Sequence, residues 1–176
     1  MAIDEAKNFV PINIAVATVS DTRTPDNDTS GDILVQRIEA AGHKLAARAI
    51  LRDDVPVLLE GLNAWIDDPL VDAIVSTGGT GLTGRDVTPE ALAMIEGARE
   101  IPGFGELFRW ISFSTIGTST IQSRACAVVA RGTYIFALPG SNGAVKDGWD
   151  NILAEQLDAR NRPCNFVELI PRLTER

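Results

Sequence analysis

The residues best equipped for chemistry lie between Val75 and Pro89, in the run Val-Ser-Thr-Gly-Gly-Thr-Gly-Leu-Thr-Gly-Arg-Asp-Val-Thr-Pro. Gly78, Gly79, Gly81 and Gly84 permit φ > 0 and let backbone N–H groups approach an anion closely. Thr77, Thr80 and Thr83 add hydroxyl donors. Arg85 offers a planar fork matched to phosphate or carboxylate, and Asp86 an oxygen ligand suited to Mg²⁺. Thr88 as a helix cap and Pro89 at the first helical position would close the loop with the partial positive charge of a helix N-terminus. The competing account is an ordinary glycine-rich turn with Asp86 capping the next helix.

Two phosphate motifs nearly fit this loop. Gly79, Gly81 and Gly84 spell G-x-G-x-x-G, but a Rossmann turn needs its helix to begin within the motif, and Arg85 to Thr88 intervene. Gly79 to Gly84 has the Walker A spacing, but Arg85-Asp86 stands where Lys-Ser or Lys-Thr must reach phosphate and metal. Neither motif is present.

The elements that must position this loop follow from hydrophobic patterning. An apolar strand from Asp72 to Ser76 delivers the chain to it. Ile12 to Val19 is a continuous apolar, β-branched run, the pattern of a strand buried on both faces. It ends in Ser20-Asp21-Thr22-Arg23, at the carboxyl end where α/β sheets face their ligands. The same loop also reads as a solvated turn with an Asp21–Arg23 ion pair. Thr29 or Ser30 is expected to cap a helix carrying Ile33, Leu34, Ile38 and Ala41, stopped by Gly42. Lys44 to Leu51 predicts a second strand, and a helix begins near Val55-Pro56. Asp53 and Asp54 therefore sit on a strand-to-helix loop. If the strands are parallel, Asp53 and Asp86 come from one sheet edge, and two converging carboxylates beside a glycine loop suit a Mg²⁺-nucleotide site. Helix capping is the other role open to Asp53 or Asp54.

Farther on, Pro89 to Gly97 predicts a helix and a Pro102-Gly103 turn begins another. Cys126 to Ala130 and Tyr134 to Leu138 form a hairpin joined at Arg131-Gly132-Thr133. Pro139 to Gly143 makes another anion-sized turn before a helix containing Val145, Trp149, Ile152, Leu153 and Leu157. Residues up to Pro11 read as a loose arm.

A chain of 176 residues, 45% hydrophobic, is long enough for one full core and too short for two, so a single domain is expected. With 24 acidic against 16 basic residues and a formal charge of −8, it lacks the broad cationic surface that nucleic acid requires. No run approaches the roughly 20 apolar residues of a membrane span. The first residues lack the basic and apolar regions of a signal peptide, so a cytoplasmic protein is expected. Cys126 and Cys164 are the only cysteines and His43 the only histidine. A disulfide, a zinc site and His-dependent nucleophilic catalysis are all disfavoured.

In combination, these motifs carry a resemblance. The Thr-Gly-Gly-Thr-Gly run with Arg85-Asp86-Val87-Thr88-Pro89, then Pro102-Gly103-Phe104-Gly105-Glu106, Ser123-Arg124-Ala125 and Leu138-Pro139-Gly140-Ser141, resembles the molybdopterin-binding MoaB/Mog family. The likeness runs in order from Ile12 to Phe166. Ile116 to Arg124 and the tail from Gln156 to Phe166 are similar to the MoaB branch in particular.

The resemblance implies a three-layer α/β/α sandwich with a mostly parallel central sheet, a homotrimer or homohexamer, and binding of molybdopterin. Active members of the family transfer AMP from Mg-ATP to the terminal phosphate of molybdopterin and release pyrophosphate. This prepares the pterin dithiolene for molybdenum insertion, and a molybdenum-insertion partner is the expected recipient. The family's two acids fall on Asp53 and Asp86, which are expected to hold Mg²⁺ and position the nucleotide. Thr77, Gly78, Gly79, Thr80 and Gly81 are expected at nucleotide phosphate. Ser20, Asp21, Arg23, Ser123, Arg124, Pro139, Gly140 and Ser141 are expected at the pterin or its phosphate. Some MoaB-branch members depart from the family at the two acids; this chain retains both. A carboxylate is already ionised at neutral pH, so metal binding needs no strong pKa shift. The alternative is a non-catalytic molybdopterin-binding or scaffold protein. An NAD-dependent oxidoreductase would rest on the accidental glycine pattern alone.

Overall fold

In a computed structural model that describes residues 2–175, the chain opens with Ala2–Ile3 (β1), Asn13–Val19 (β2), Thr29–Ala40 (α1), Lys44–Leu51 (β3) and Val55–Ile66 (α2). Ala73–Thr77 (β4), Thr88–Met94 (α3), Arg99–Glu100 (β5) and Pro102–Ile116 (α4) follow, then a 3₁₀ segment, Gly117–Gln122. Cys126–Ala130 (β6) and Thr133–Leu138 (β7) precede one long helical stretch: Asn142–Gly148 (α5), a π-helical turn at Trp149–Leu153, and Ala154–Gln156 (α6). Asn161–Arg162 (β8) and a 3₁₀ segment at Val167–Arg172 complete the described chain.

Six strands form one sheet in the order β3-β2-β4-β7-β6-β5. The first four run parallel, and β6 and β5 add antiparallel. Side chains alternate between the faces, so a strand covered on both sides needs apolar residues at every position. Along β2, Ile14 and Val16 pack with Leu34 and Ile38 of α1 and Phe104 and Phe108 of α4, whereas Ala15 and Val19 pack with Leu58 and Leu62 of α2 and Leu92 of α3. The expected three-layer α/β/α sandwich is what results. Among the described residues no helix is long and apolar enough to cross a membrane.

Several local expectations change. The arm is not loose: β1 pairs antiparallel with β8, and the Asp4 carboxylate pairs with Arg162. Met1 lies outside the described residues. Asp28, not Thr29 or Ser30, caps α1 by accepting from Gly31 N. Val87 occupies the cap position of α3, and Thr88 is its first residue, because the Thr88 hydroxyl donates to Gly78 O instead. That helix ends at Met94, short of Gly97. The hairpin turn is the two residues Arg131 and Gly132, both at positive φ, which matches the right-handed twist of the flanking strands; Thr133 already belongs to β7.

Candidate functional site

The connections decide where a ligand can enter. From β2 the chain crosses by α1 on one face to β3, then returns by α2 on the other face to β4, on the opposite side of β2. The loops leaving β2 and β4 therefore diverge, which opens a crevice at the carboxyl ends of the strands. A cavity of about 540 Å³ lies there, within the range of small-molecule sites. Ser20 and Arg23 line it from the loop after β2, Thr77 to Gly81 with Asp86 from the loop after β4, and Pro139 to Ser141 from the turn after β7. Phe108, Ser112 and Ile116 of α4, with Ser119 and Ser123 beyond it, form the remaining wall.

The glycine turn is shaped by contacts that exclude any side chain. Gly78 has φ +107°, and a Cβ there would lie 2.1 Å from Val19 O. Gly79 has φ +64°, and its Cβ would lie 2.3 Å from Thr88 Oγ1 and 2.5 Å from Asp53 Oδ1. The turn thus packs Asp53 against its own backbone. The Gly78 amide donates to Leu138 O at 2.9 Å, so it continues the β4–β7 ladder and is not free for phosphate. The Gly81 amide bonds the Asp86 carboxylate, so the anion-binding expectation shifts to the amides of Gly79 and Thr80. The Thr77 hydroxyl donates to Pro139 O at 3.1 Å, tying two walls of the cavity together. Thr80 is buried, and its hydroxyl has no hydrogen-bond partner.

Asp53 and Asp86 reach the same sheet edge, and their surroundings differ. Asp86 accepts from Thr83 N at 2.9 Å and from Thr83 Oγ1 at 2.6 Å. The Thr83 hydroxyl is the largest cause that holds its carboxyl below the usual range, against its partial burial. Asp53 has a buried Oδ1 with no partner. Burial, then the charges of Asp21 and Asp86, push its pKa up, opposed by Arg85. Asp54, not Asp53, takes the capping role by accepting from Val57 N at 3.2 Å. Among the described residues no three His, Cys, Asp or Glu side chains are grouped to hold a metal by themselves. A pair of carboxylates, one with an uncommitted buried oxygen, fits an ion that takes one or two protein carboxylates and draws its other ligands from phosphate and water.

The residues expected at the pterin divide. Ser20, Arg23, Ser123, Pro139, Gly140 and Ser141 come together on the cavity, although Ser141 also caps α5 by accepting from Ala144 N. Arg23 donates to Asn27 O at 2.8 Å, and the Ser20 hydroxyl oxygen accepts from Thr22 N and Arg23 N, so the loop is closed on itself. The alternative Asp21–Arg23 ion pair does not form. Asp21 instead pairs with Arg85, the Nε at 3.0 Å, outside the cavity. Arg124 turns to the back of the glycine loop. Sequence reasoning missed Asp28, which is fully buried and accepts from Thr18 Oγ1 at 2.7 Å, Arg48 Nη2 at 2.8 Å and Gly31 N at 3.0 Å. Burial alone would raise its pKa, but these donors together hold it below the usual range. The available signal was an Asp three residues before Gly31, an N-cap spacing.

A sheet that changes winding direction between β2 and β4, with a glycine turn and Asp86 lining a cavity and Asp53 packed against Gly79 but not among the lining residues, defines a small-molecule-binding α/β domain. The family described as "Probable molybdopterin binding domain" matches residues 15–159. The chain belongs to that family, in the MoaB/Mog group. It is 49% identical over 158 residues to Molybdenum cofactor biosynthesis protein B of Escherichia coli (strain K12), covering 90% of this chain and 92% of that one. It is 41% identical over 160 residues to the protein of the same name from Bacillus subtilis (strain 168), covering 89% and 94%. A crystal structure of Molybdenum cofactor biosynthesis protein B superposes with a TM-score of 0.85 at 33% identity, covering 97% of this chain and 100% of that one.

Proposed function

We propose that this protein transfers AMP from Mg-ATP to the terminal phosphate of molybdopterin, releasing pyrophosphate. The observation that carries this reading is the unpartnered, buried Asp53 Oδ1 packed against the Gly79 turn, at the same edge as Asp86. A terminal phosphate oxygen of the pterin attacks the α-phosphorus, the bond to the β-phosphate bridging oxygen breaks, and pyrophosphate leaves. The nucleophile is already an anion, so no general base is needed. The protein's work is positioning and charge stabilisation.

Asp53 and Asp86 would hold Mg²⁺, which when bound neutralises charge growing on the α-phosphate and on pyrophosphate. The amides of Gly79 and Thr80 and the Thr80 hydroxyl face nucleotide phosphate. Ser20, Arg23, Ser123 and the Pro139–Ser141 turn hold the pterin and its phosphate. A molybdenum-insertion partner then receives the product. Assembly into a homotrimer or homohexamer is supported by the exposed apolar side chains Trp110 and Phe113 on α4 and Ile121 in the segment after it. A Trp110→Asp variant should run at monomer mass in light scattering.

The deciding experiment incubates the protein with molybdopterin and Mg-ATP and follows adenylylated molybdopterin by mass spectrometry. Product formation supports the transferase. Tight molybdopterin binding without product would instead identify a non-catalytic binding or scaffold protein.

A further inference from the structure

Arg124 stands in the Ser-Arg-Ala motif and was expected at the pterin. Its guanidinium is spent elsewhere. Nε donates to Gly81 O at 2.7 Å, Nη2 donates to Asp86 O at 2.5 Å, and Nη1 pairs with the Glu90 carboxylate. Its own amide donates to Thr80 O at 2.9 Å. One residue therefore grips the glycine loop at both ends, before its exposed tip and after it, and anchors itself to the first turn of α3 through Glu90.

The base of the loop is clasped by Thr88, whose amide donates to Gly79 O and whose hydroxyl donates to Gly78 O, both at 3.0 Å, but the tip from Gly81 to Asp86 lies beyond that clasp. Leu82, Thr83, Gly84 and Arg85 are exposed. The Thr83–Asp86 bonds are internal to the loop and do not tie its tip to the rest of the domain. Arg85, two-thirds exposed, reaches Asp21 across solvent, and such surface pairs hold weakly. The Asp86 carboxylate lies over Gly81, where an added Cβ would come within 2.7 Å of Oδ2. Thr83 fixes the carboxylate within the loop, and holding Gly81 O and Asp86 O on one rigid guanidinium plane orients that unit relative to α3. A lysine ammonium at this position offers a single charged point and cannot span the three acceptors.

We infer that Arg124 is a positioning residue that aims Asp86 through the loop backbone, and that it does not contact the pterin. The inference rests on the role proposed above for Asp86 in holding Mg²⁺. It extends to Glu90, whose carboxylate orients the guanidinium and whose pKa that guanidinium lowers.

The test compares wild type with Arg124→Lys and Glu90→Gln by three readouts. Hydrogen exchange of the peptide spanning residues 80–90 should speed up in Arg124→Lys, and less so in Glu90→Gln, while peptides from β2 and β7 stay unchanged. The Mg²⁺ concentration that half-saturates AMP transfer should rise about 10–100-fold in Arg124→Lys, the usual cost of losing an outer partner of a metal ligand. The dissociation constant of molybdopterin, measured by fluorescence titration without nucleotide, should stay within about twofold. A large loss of molybdopterin affinity with unchanged exchange in residues 80–90 would overturn the inference and return Arg124 to the pterin pocket. If wild type transfers no AMP, the transferase reading fails, and the exchange and titration arms still decide whether Arg124 holds the loop or the ligand.

Discussion

The loop after β4 satisfies its carboxylate from within, whereas the loop after β3 leaves its own unsatisfied. Asp86 is bonded by the amide and hydroxyl of Thr83, and its backbone is held by Arg124. Asp53 keeps a buried oxygen without a partner, pressed against Gly79 and near two other carboxylates. Folding alone rewards the first arrangement and penalises the second, because an unpaired buried polar atom costs stability. That contrast is what the proposed Mg²⁺ role of Asp53 would account for, since a bound cation would give this oxygen a partner. In the function proposed above, Asp86 is the acid the fold already orients and Asp53 the one it leaves with an uncommitted oxygen.

The largest expected effect treats the pair as equals. Asp53→Asn and Asp86→Asn should each lower AMP transfer by about 100-fold or more, in the range for removing one electrostatic stabiliser, with molybdopterin binding retained. Full activity in either variant, by the mass-spectrometric assay, would remove that residue from the site. Next comes the turn that presses on Asp53. Gly79→Ala places a Cβ at φ +64° within 2.5 Å of Asp53 Oδ1, and should cost about 1–3 kcal/mol in urea unfolding. A neutral Gly79→Ala would mean that Asp53 is not confined by the turn.

A smaller effect separates the acids by sign. At pH 7, Asp86→Asn should lose about 1 kcal/mol of stability with its Thr83 bonds weakened, while Asp53→Asn should gain about as much by removing a crowded charge. Equal signs in thermal unfolding would erase the distinction. The pH dependence sharpens it further. Asp53 has a raised folded pKa, so its penalty is relieved as pH falls through that pKa towards the ordinary 3.8, and the Asp53→Asn gain should shrink over that window. Asp86 has a lowered pKa, so its contribution persists down to 3.8 and is lost only as pH falls below it towards the folded value.

Much of this division lies beyond local sequence reading. The glycine run, the two acids and the strand-to-helix loops that carry them are visible because each rests on short-range rules: backbone freedom, patterning and caps. The Lys44–Leu51 strand and the hairpin at Arg131-Gly132-Thr133 are legible for the same reason, although Thr133 joins β7 and leaves a two-residue turn. Local sequence does not single out the cap of α1, because Asp28, Thr29 and Ser30 all have cap chemistry. Only Thr18 and Arg48, brought in from neighbouring strands, select Asp28. Thr88 has cap chemistry and gives its hydroxyl to Gly78 O once the turn folds over it. The N-terminal residues read as a loose arm because their partner, β8, lies at the far end of the chain.

By itself, the sequence determined the layers and the edge at which chemistry could occur. Continuous apolar strands require cover on both faces, and parallel strands send their loops to one end. Tertiary structure alone decided what each charged group does there. It turned Arg124 from the ligand to the loop, paired Asp21 with Arg85, committed the Gly78 amide to the sheet, and left one oxygen of Asp53 without a partner. The physical reason is reach: patterning and turn preference act over a few residues, whereas the role of a charge is set by whichever groups the completed fold brings within hydrogen-bonding distance, however distant in sequence.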